Sequence, residues 1–123
     1  LGDNLSALGD ALLTEAGSGV SMEALAERLA GDADFSVQPI PKRLNLTVER
    51  LNRMNYHARW EAGAEGPHVI FTHCPYAKIV ANHPELCVMD QALLEMLMGM
   101  PAMTLSKIRE GSSTCLFAMT QRV

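Results

Sequence analysis

The chain has 123 residues, 48% of them hydrophobic, with 14 acidic against 10 basic side chains and a formal charge of −4. That is apolar material enough for one domain with a real core. An acidic balance gains little from neutralising phosphates, so the chain by itself is not expected to bind nucleic acid. The densest basic stretch, Lys42 to Arg53, interleaves its cations with Leu44, Leu46, Val48 and Leu51, which is an amphipathic helix with a solvated face rather than a phosphate-tracking stripe. No run approaches the roughly 18 uninterrupted apolar residues of a membrane span. Asp3, with no basic leader before an apolar run, does not read as a secretory signal. Leu1 in place of Met is the start expected of an excised fragment. Three cysteines, an odd number without a CxxC pair, fit a reducing cytoplasm better than a complete disulfide framework.

In chain order, Leu5, Leu8, Leu12 and Leu13 recur at helical spacing, and Gly17 to Gly19 closes that helix. Ser21 reads as an N-cap, with Val20 and Leu25 placed as a hydrophobic staple. Met22, Leu25, Ala26 and Leu29 form the stripe of a second helix, and Gly31 stands where a C-cap belongs. Asp32 to Pro41, with two prolines among small and polar residues, reads as a linker. A third helix follows through Leu44, Thr47, Val48, Leu51 and Met54. Tyr56, Ala58, Trp60 and Ala62 then alternate with His57, Arg59 and Glu61, the period of a half-buried strand. Gly63 to Pro67 turns the chain into a partner strand over His68 to Thr72.

Pro84 suits the first turn of a long helix, whose buried stripe includes Leu86, Met89, Leu93, Met96 and Leu97 and which Gly99 and Pro101 end. A last hairpin runs from Ala102 to Ile108, turns at Arg109 to Ser112, and returns over Ser113 to Met119. The expected fold is therefore α+β: an N-terminal helical hairpin, then helix–β-hairpin–helix–β-hairpin, with helices packed on an antiparallel sheet. The expected division is a helical hairpin at 1–31, a linker at 32–41 and an α/β effector unit at 42–123. Two short amphipathic helices make little core alone, so 1–31 is the candidate dimerisation element.

The pattern that points to chemistry is Cys74, Cys87 and Cys115, spaced C-x12-C-x27-C. A strand end, a helix start and a neighbouring strand can meet at one sheet edge. Thiolates gathered in that way suit zinc or an iron–sulfur cluster. The plainer reading is that each cysteine is a small buried hydrophobe.

The run Cys74-Pro75-Tyr76, then His83-Pro84-Glu85-Leu86-Cys87, then Glu110-Gly111 and Thr114-Cys115, resembles the C-terminal domain of the iron–sulfur-biogenesis (SUF operon) repressor family. That family belongs to a wider set of ArsR/DeoR-like winged-helix transcriptional regulators. The resemblance extends from about Leu5 to the end of the chain and is strongest from Cys74 to Cys115. It implies an effector domain of a bacterial transcriptional regulator, cytoplasmic and homodimeric, touching DNA only through an N-terminal winged helix that this chain lacks. It also implies Cys74, Cys87 and Cys115 as ligands of an iron–sulfur cluster. Family members often carry a further cysteine four residues before the first of the three, and Ile70 stands there in this chain. His73 and His83 are the nearby candidates for a fourth ligand, imidazole being able to replace thiolate in clusters and in Cys₃His zinc sites.

Two other patterns carry less. Met89, Met96, Met98, Met100 and Met103 crowd one region. Thioethers bind Cu(I), but Met89 and Met96 share the spacing of a core stripe, so gap-filling is the expected use. Cys74 with His73 or His83, oriented by Glu85 or Asp90, imitates a Cys–His nucleophile pair. Neighbours on an extended segment point apart, however, and the chain has no phosphate-cradling glycine loop, HExxH or GxSxG, so no enzyme is expected. Should the cysteines be structural, the alternative is a zinc-binding or small-molecule regulatory domain with a pocket lined by Met and aromatic residues.

Overall fold

The structure is a computed structural model that describes residues 2–16, 19, 21–63, 66–77, 79–80, 82–106 and 114–119, with the side chains of 2–7 and 106 left aside. Its helices are α1 (Gly2–Ala16), α2 (Met22–Ala30), α3 (Ile40–Arg53) and α4 (Leu86–Met98). Its strands are β1 (Ala58–Gly63), β2 (Gly66–Phe71), β3 (Ala102–Ser106) and β4 (Cys115–Met119). The four strands form one antiparallel sheet in the order β1-β2-β4-β3. This is the α+β arrangement that the periodicity implies. The expected Val20 staple, the glycines at 17 and 18, and the turn at Arg109 to Ser112 lie outside the described residues.

Local chemistry sets the element ends. The Ser21 side chain accepts a hydrogen bond from the Ala24 amide at 3.1 Å, capping α2. At the other end Gly31 takes a positive φ of 59° and donates to Glu27 O at 3.0 Å. Arg50 of α3 donates through Nη2 to the carbonyls of Leu29 and Ala30 at 2.8 and 3.2 Å, satisfying acceptors that the end of α2 leaves open. Gly99 closes α4 in the left-handed conformation, φ 67°. A Cβ at Gly99 would run into Ser36, so glycine is required there on both counts.

Some boundaries differ from the sequence pattern. Tyr56 does not begin the strand: it lies between Asn55 and His57, both at positive φ, where the chain reverses out of α3. The Asn52 side chain holds that reversal by bonding both the N–H and the carbonyl of Ala58. Pro67 is part of β2, opposite Ala62, and precedes the first β2–β4 pair at His68–Ala118, so the central ladder does not need its missing N–H. Pro84 precedes α4 by two residues, in a turn whose carbonyl accepts from the Cys87 amide at 3.1 Å.

The core is one cluster, to which the helices and the sheet contribute. Leu44 and Leu51 come from α3, Leu93, Leu94, Leu97 and Met98 from α4, Val69 and Phe71 from β2, and Phe117 and Met119 from β4. Ala26 and Ala30 of α2 join it, and α2 packs on α4. The stretch between α2 and α3 is tied to the end of α4. Phe35 N donates to Leu97 O at 3.1 Å, and Arg43 donates to Ser36 O, Gln38 O and Met98 O. Met89, Met98 and Met100 are buried and Met103 is 61% exposed, so that group is divided between core and surface.

Leu93 is fully buried, and truncation there leaves a cavity that close-packed neighbours fill only in part. Leu93→Ala should lower the unfolding free energy by about 2–5 kcal/mol in a urea titration. Val37→Ala, at a residue 87% exposed, should change it by no more than about 0.5 kcal/mol.

Candidate functional site

The register of the sheet and the start of α4 bring the three cysteines to one corner. Cys115 opens β4 opposite Phe71, the last residue of β2, and alternates with the buried Phe117 and Met119 on the helix-facing side. Cys74 follows three residues after Phe71, so it leaves the sheet at the same end. Cys87 lies in the first turn of α4, and Asp90 follows three residues later on the same helix face. None of the three cysteines is in a disulfide. Cys115 is buried, and Cys74 and Cys87 are half-buried.

The electrostatics at Cys74 report that convergence. Burial pushes its thiol up to about 11, against the pull of a backbone hydrogen bond at Tyr76. The carboxyl of Asp90 and the thiols of Cys115 and Cys87 each push it further in the same direction. A thiol so placed is protonated at neutral pH and is a weak nucleophile.

Asp90 is the residue that the sequence pattern undervalued. It interrupts the apolar stripe of α4 and is 6% exposed, a buried carboxyl whose charge bears on Cys74. The Tyr56 hydroxyl donates to Asp90 Oδ1 at 2.6 Å, and the Tyr76 hydroxyl stands 3.2 Å from that of Tyr56. Burial raises the Asp90 pKa to about 7, although the Tyr56 hydrogen bond pulls it back. Burial likewise raises both phenols, with Asp90 adding to the shift in each. Tyr56 packs its ring on Phe71 at 4.8 Å, and Phe71 on Phe117 at 4.9 Å, an aromatic row that floors the corner.

The two histidines point to other partners. The His73 ring lies against His57, with centroids 5.0 Å apart. His83, 7% exposed, places Nε2 2.8 Å from Asp10 Oδ1 of α1 and Nδ1 3.4 Å from Glu85 Oε2. Both of its ring nitrogens therefore face carboxylates.

Soft thiols with one carboxyl are the donor types that zinc and iron–sulfur clusters take. Among the described residues, no three His, Cys, Asp or Glu side chains stand close enough to hold an ion as they are placed. The donor chemistry fits such a group, and taking one up requires the thiols to move closer together. No protein-family model, curated protein or solved structure matches the chain.

A carboxyl whose pKa is near 7 when folded, against about 4 when unfolded, keeps its proton longer in the folded state. The penalty for burying Asp90 is absent below about pH 4, grows as the unfolded chain ionises, and is complete above about pH 7. Measured against Asp90→Asn, the unaltered protein should therefore lose urea stability as pH rises from 4 to 7, with a flat difference on either side. A difference that does not change with pH would show that Asp90 ionises as readily folded as unfolded.

Proposed function

We propose that this chain is the C-terminal effector and dimerisation domain of a bacterial transcriptional regulator, sensing iron–sulfur or redox status through Cys74, Cys87 and Cys115. The observation that carries the reading is the placement of three thiols, distant in sequence, at the end of β2, the start of β4 and the start of α4, near enough that Cys87 and Cys115 both bear on Cys74. The resemblance of the CPY, HPELC and TC motifs to the iron–sulfur-biogenesis repressors supports the same assignment. When bound, a cluster would supply a centre whose assembly and loss follow the supply of iron and oxidant.

The chain's own residues give that site its character. Cys115 is set by the β2–β4 ladder and Cys87 by the start of α4, so both are held by regular structure. Cys74 lies in the irregular segment after β2 and is the thiol best able to shift. Asp90 is favoured over His73 and His83 as a fourth donor, because its carboxyl bears on Cys74 while the histidines engage other groups. The buried rings of Tyr56, Phe71 and Phe117 are apolar neighbours of Asp90 and Cys115, and a low-dielectric surrounding strengthens charge interactions. A thiol held protonated by burial weighs against a thiol enzyme.

Dimerisation through the helical hairpin is supported by α1, which exposes Leu8 and Leu12 at 55% and 60%. A two-fold dimer would fix the spacing of two attached winged helices on operator half-sites. A ligand at the corner would shift that arrangement only by its differential affinity for the two states, about 1–3 kcal/mol in typical couplings. Among the described residues, no helix is long and apolar enough to cross a membrane.

Protein purified without oxygen and reconstituted with ferrous iron and sulfide should be brown and absorb in the visible, and Cys87→Ser should abolish the colour. A colourless protein holding about one zinc per chain, lost in the same variant, would assign the corner to zinc. Protein that takes up neither iron–sulfide nor zinc would overturn the sensing role.

A further inference from the structure

At its described residues, the segment between Cys74 and Cys87 is braced by its own backbone. Ala77 N donates to Cys74 O at 3.1 Å, Ile79 N and Val80 N donate to Tyr76 O at 2.9 Å each, and His83 N donates to Ile79 O at 3.1 Å. Leu86 N then donates to His83 O at 3.0 Å, and Cys87 N to Pro84 O at 3.1 Å. A backbone displacement of Cys74 relative to α4 would therefore strain these turns.

The same segment is what α1 rests on. A Cβ at Gly9 would sit 3.5 Å from Ile79 Cδ1, ordinary contact, so the helix backbone approaches closely there. Further along the segment, His83 is buried and its Nε2 meets Asp10 Oδ1 at 2.8 Å, joining groups 73 positions apart. Among the described side chains of α1, Asp10 and Leu13 are half-buried, whereas Leu8, Ala11, Leu12, Thr14, Glu15 and Ala16 are exposed. The His83–Asp10 hydrogen bond is part-buried and joins a histidine to a carboxylate, so its loss should ease local detachment of α1.

We infer that α1 and the thiol corner are coupled through the His83–Asp10 contact, so that docking of α1 restrains the Cys74–Cys87 segment and movement of that segment releases α1. The inference deepens the sensing role proposed above, since α1 is then the element that carries the state of the corner out of the domain. By linkage the coupling is reciprocal, so it can be read in the metal-free protein from the α1 side.

The experiment compares the unaltered full chain with Asp10→Ala, His83→Gln and, as a control on an exposed α1 side chain, Glu15→Gln. Amide hydrogen exchange over residues 2–16 reports docking of α1, and mass spectrometry of iodoacetamide-treated protein gives the alkylation rate at each cysteine. Asp10→Ala and His83→Gln should speed α1 exchange and raise alkylation at Cys74 and Cys87 by about fivefold, the effect of one lost hydrogen bond. Cys115, held in the β-ladder, should be unchanged, and Glu15→Gln should match the unaltered protein. Faster α1 exchange with unchanged alkylation would overturn the coupling, and no change in either would show that the contact does not hold α1. Failure to take up iron–sulfide or zinc is read separately and bears on the sensing role alone.

Discussion

The structure depends on α4 being buried along most of its circumference. Of its 13 residues, Leu86, Met89, Asp90, Leu93, Leu94, Leu97 and Met98 are buried, with α2 and α3 packed on it and β3 following directly. Each buried aliphatic side chain there is worth about 1.5–3 kcal/mol relative to exposure. That sum fixes the helix firmly enough to carry a buried carboxyl, which by itself opposes folding once ionised. Asp90 is tolerated because Tyr56, also fully buried, is positioned by the Asn55–His57 reversal to donate to it. Cap, reversal and carboxyl are parts of one arrangement.

That arrangement connects packing to function. The same first turns of α4 that anchor Leu86 and Met89 in the core present Cys87 and Asp90 at its edge. The ladder that buries Phe71 and Phe117 sets Cys115 opposite the end of β2. Regular elements therefore hold two thiols and a carboxyl, whereas Cys74 and the turns up to Pro84 are held by local hydrogen bonds. Rigid donors and one adjustable donor would suit the sensing role proposed for this corner. The acidic, partly apolar surface of α1 lies beside this adjustable part, on the route toward the chain's N-terminus.

Much of the fold was legible because local signals agreed with one another. Ser21 and Gly31 bracket α2, the Gly99 stop follows an apolar stripe broken by the one acid Asp90, and the alternation from Ala58 to Ala62 marks a strand in which Ala58 is buried, Trp60 half-buried and Ala62 exposed. Tyr56 continues that alternation in sequence but not in space, because positive φ at its two neighbours breaks the extended chain. The three cysteines were legible as a pattern, and their common corner needed the β2–β4 register to place them. Asp90 could have been noticed as an acid inside a core stripe, but only the partner hydroxyl of Tyr56, 34 positions away, explains it. The His83–Asp10 contact had no sequence signal at all, since it joins residues whose proximity is set by how α1 lies on a loop.

The central claim is that Cys74, Cys87 and Cys115 act as one ligand set. X-ray absorption at the zinc edge of the zinc-loaded domain tests it most directly, because it counts the sulfur atoms bonded to the metal. The account predicts three sulfur neighbours at about 2.3 Å with one lighter oxygen or nitrogen donor. A shell of oxygen and nitrogen atoms with one sulfur or none would contradict it.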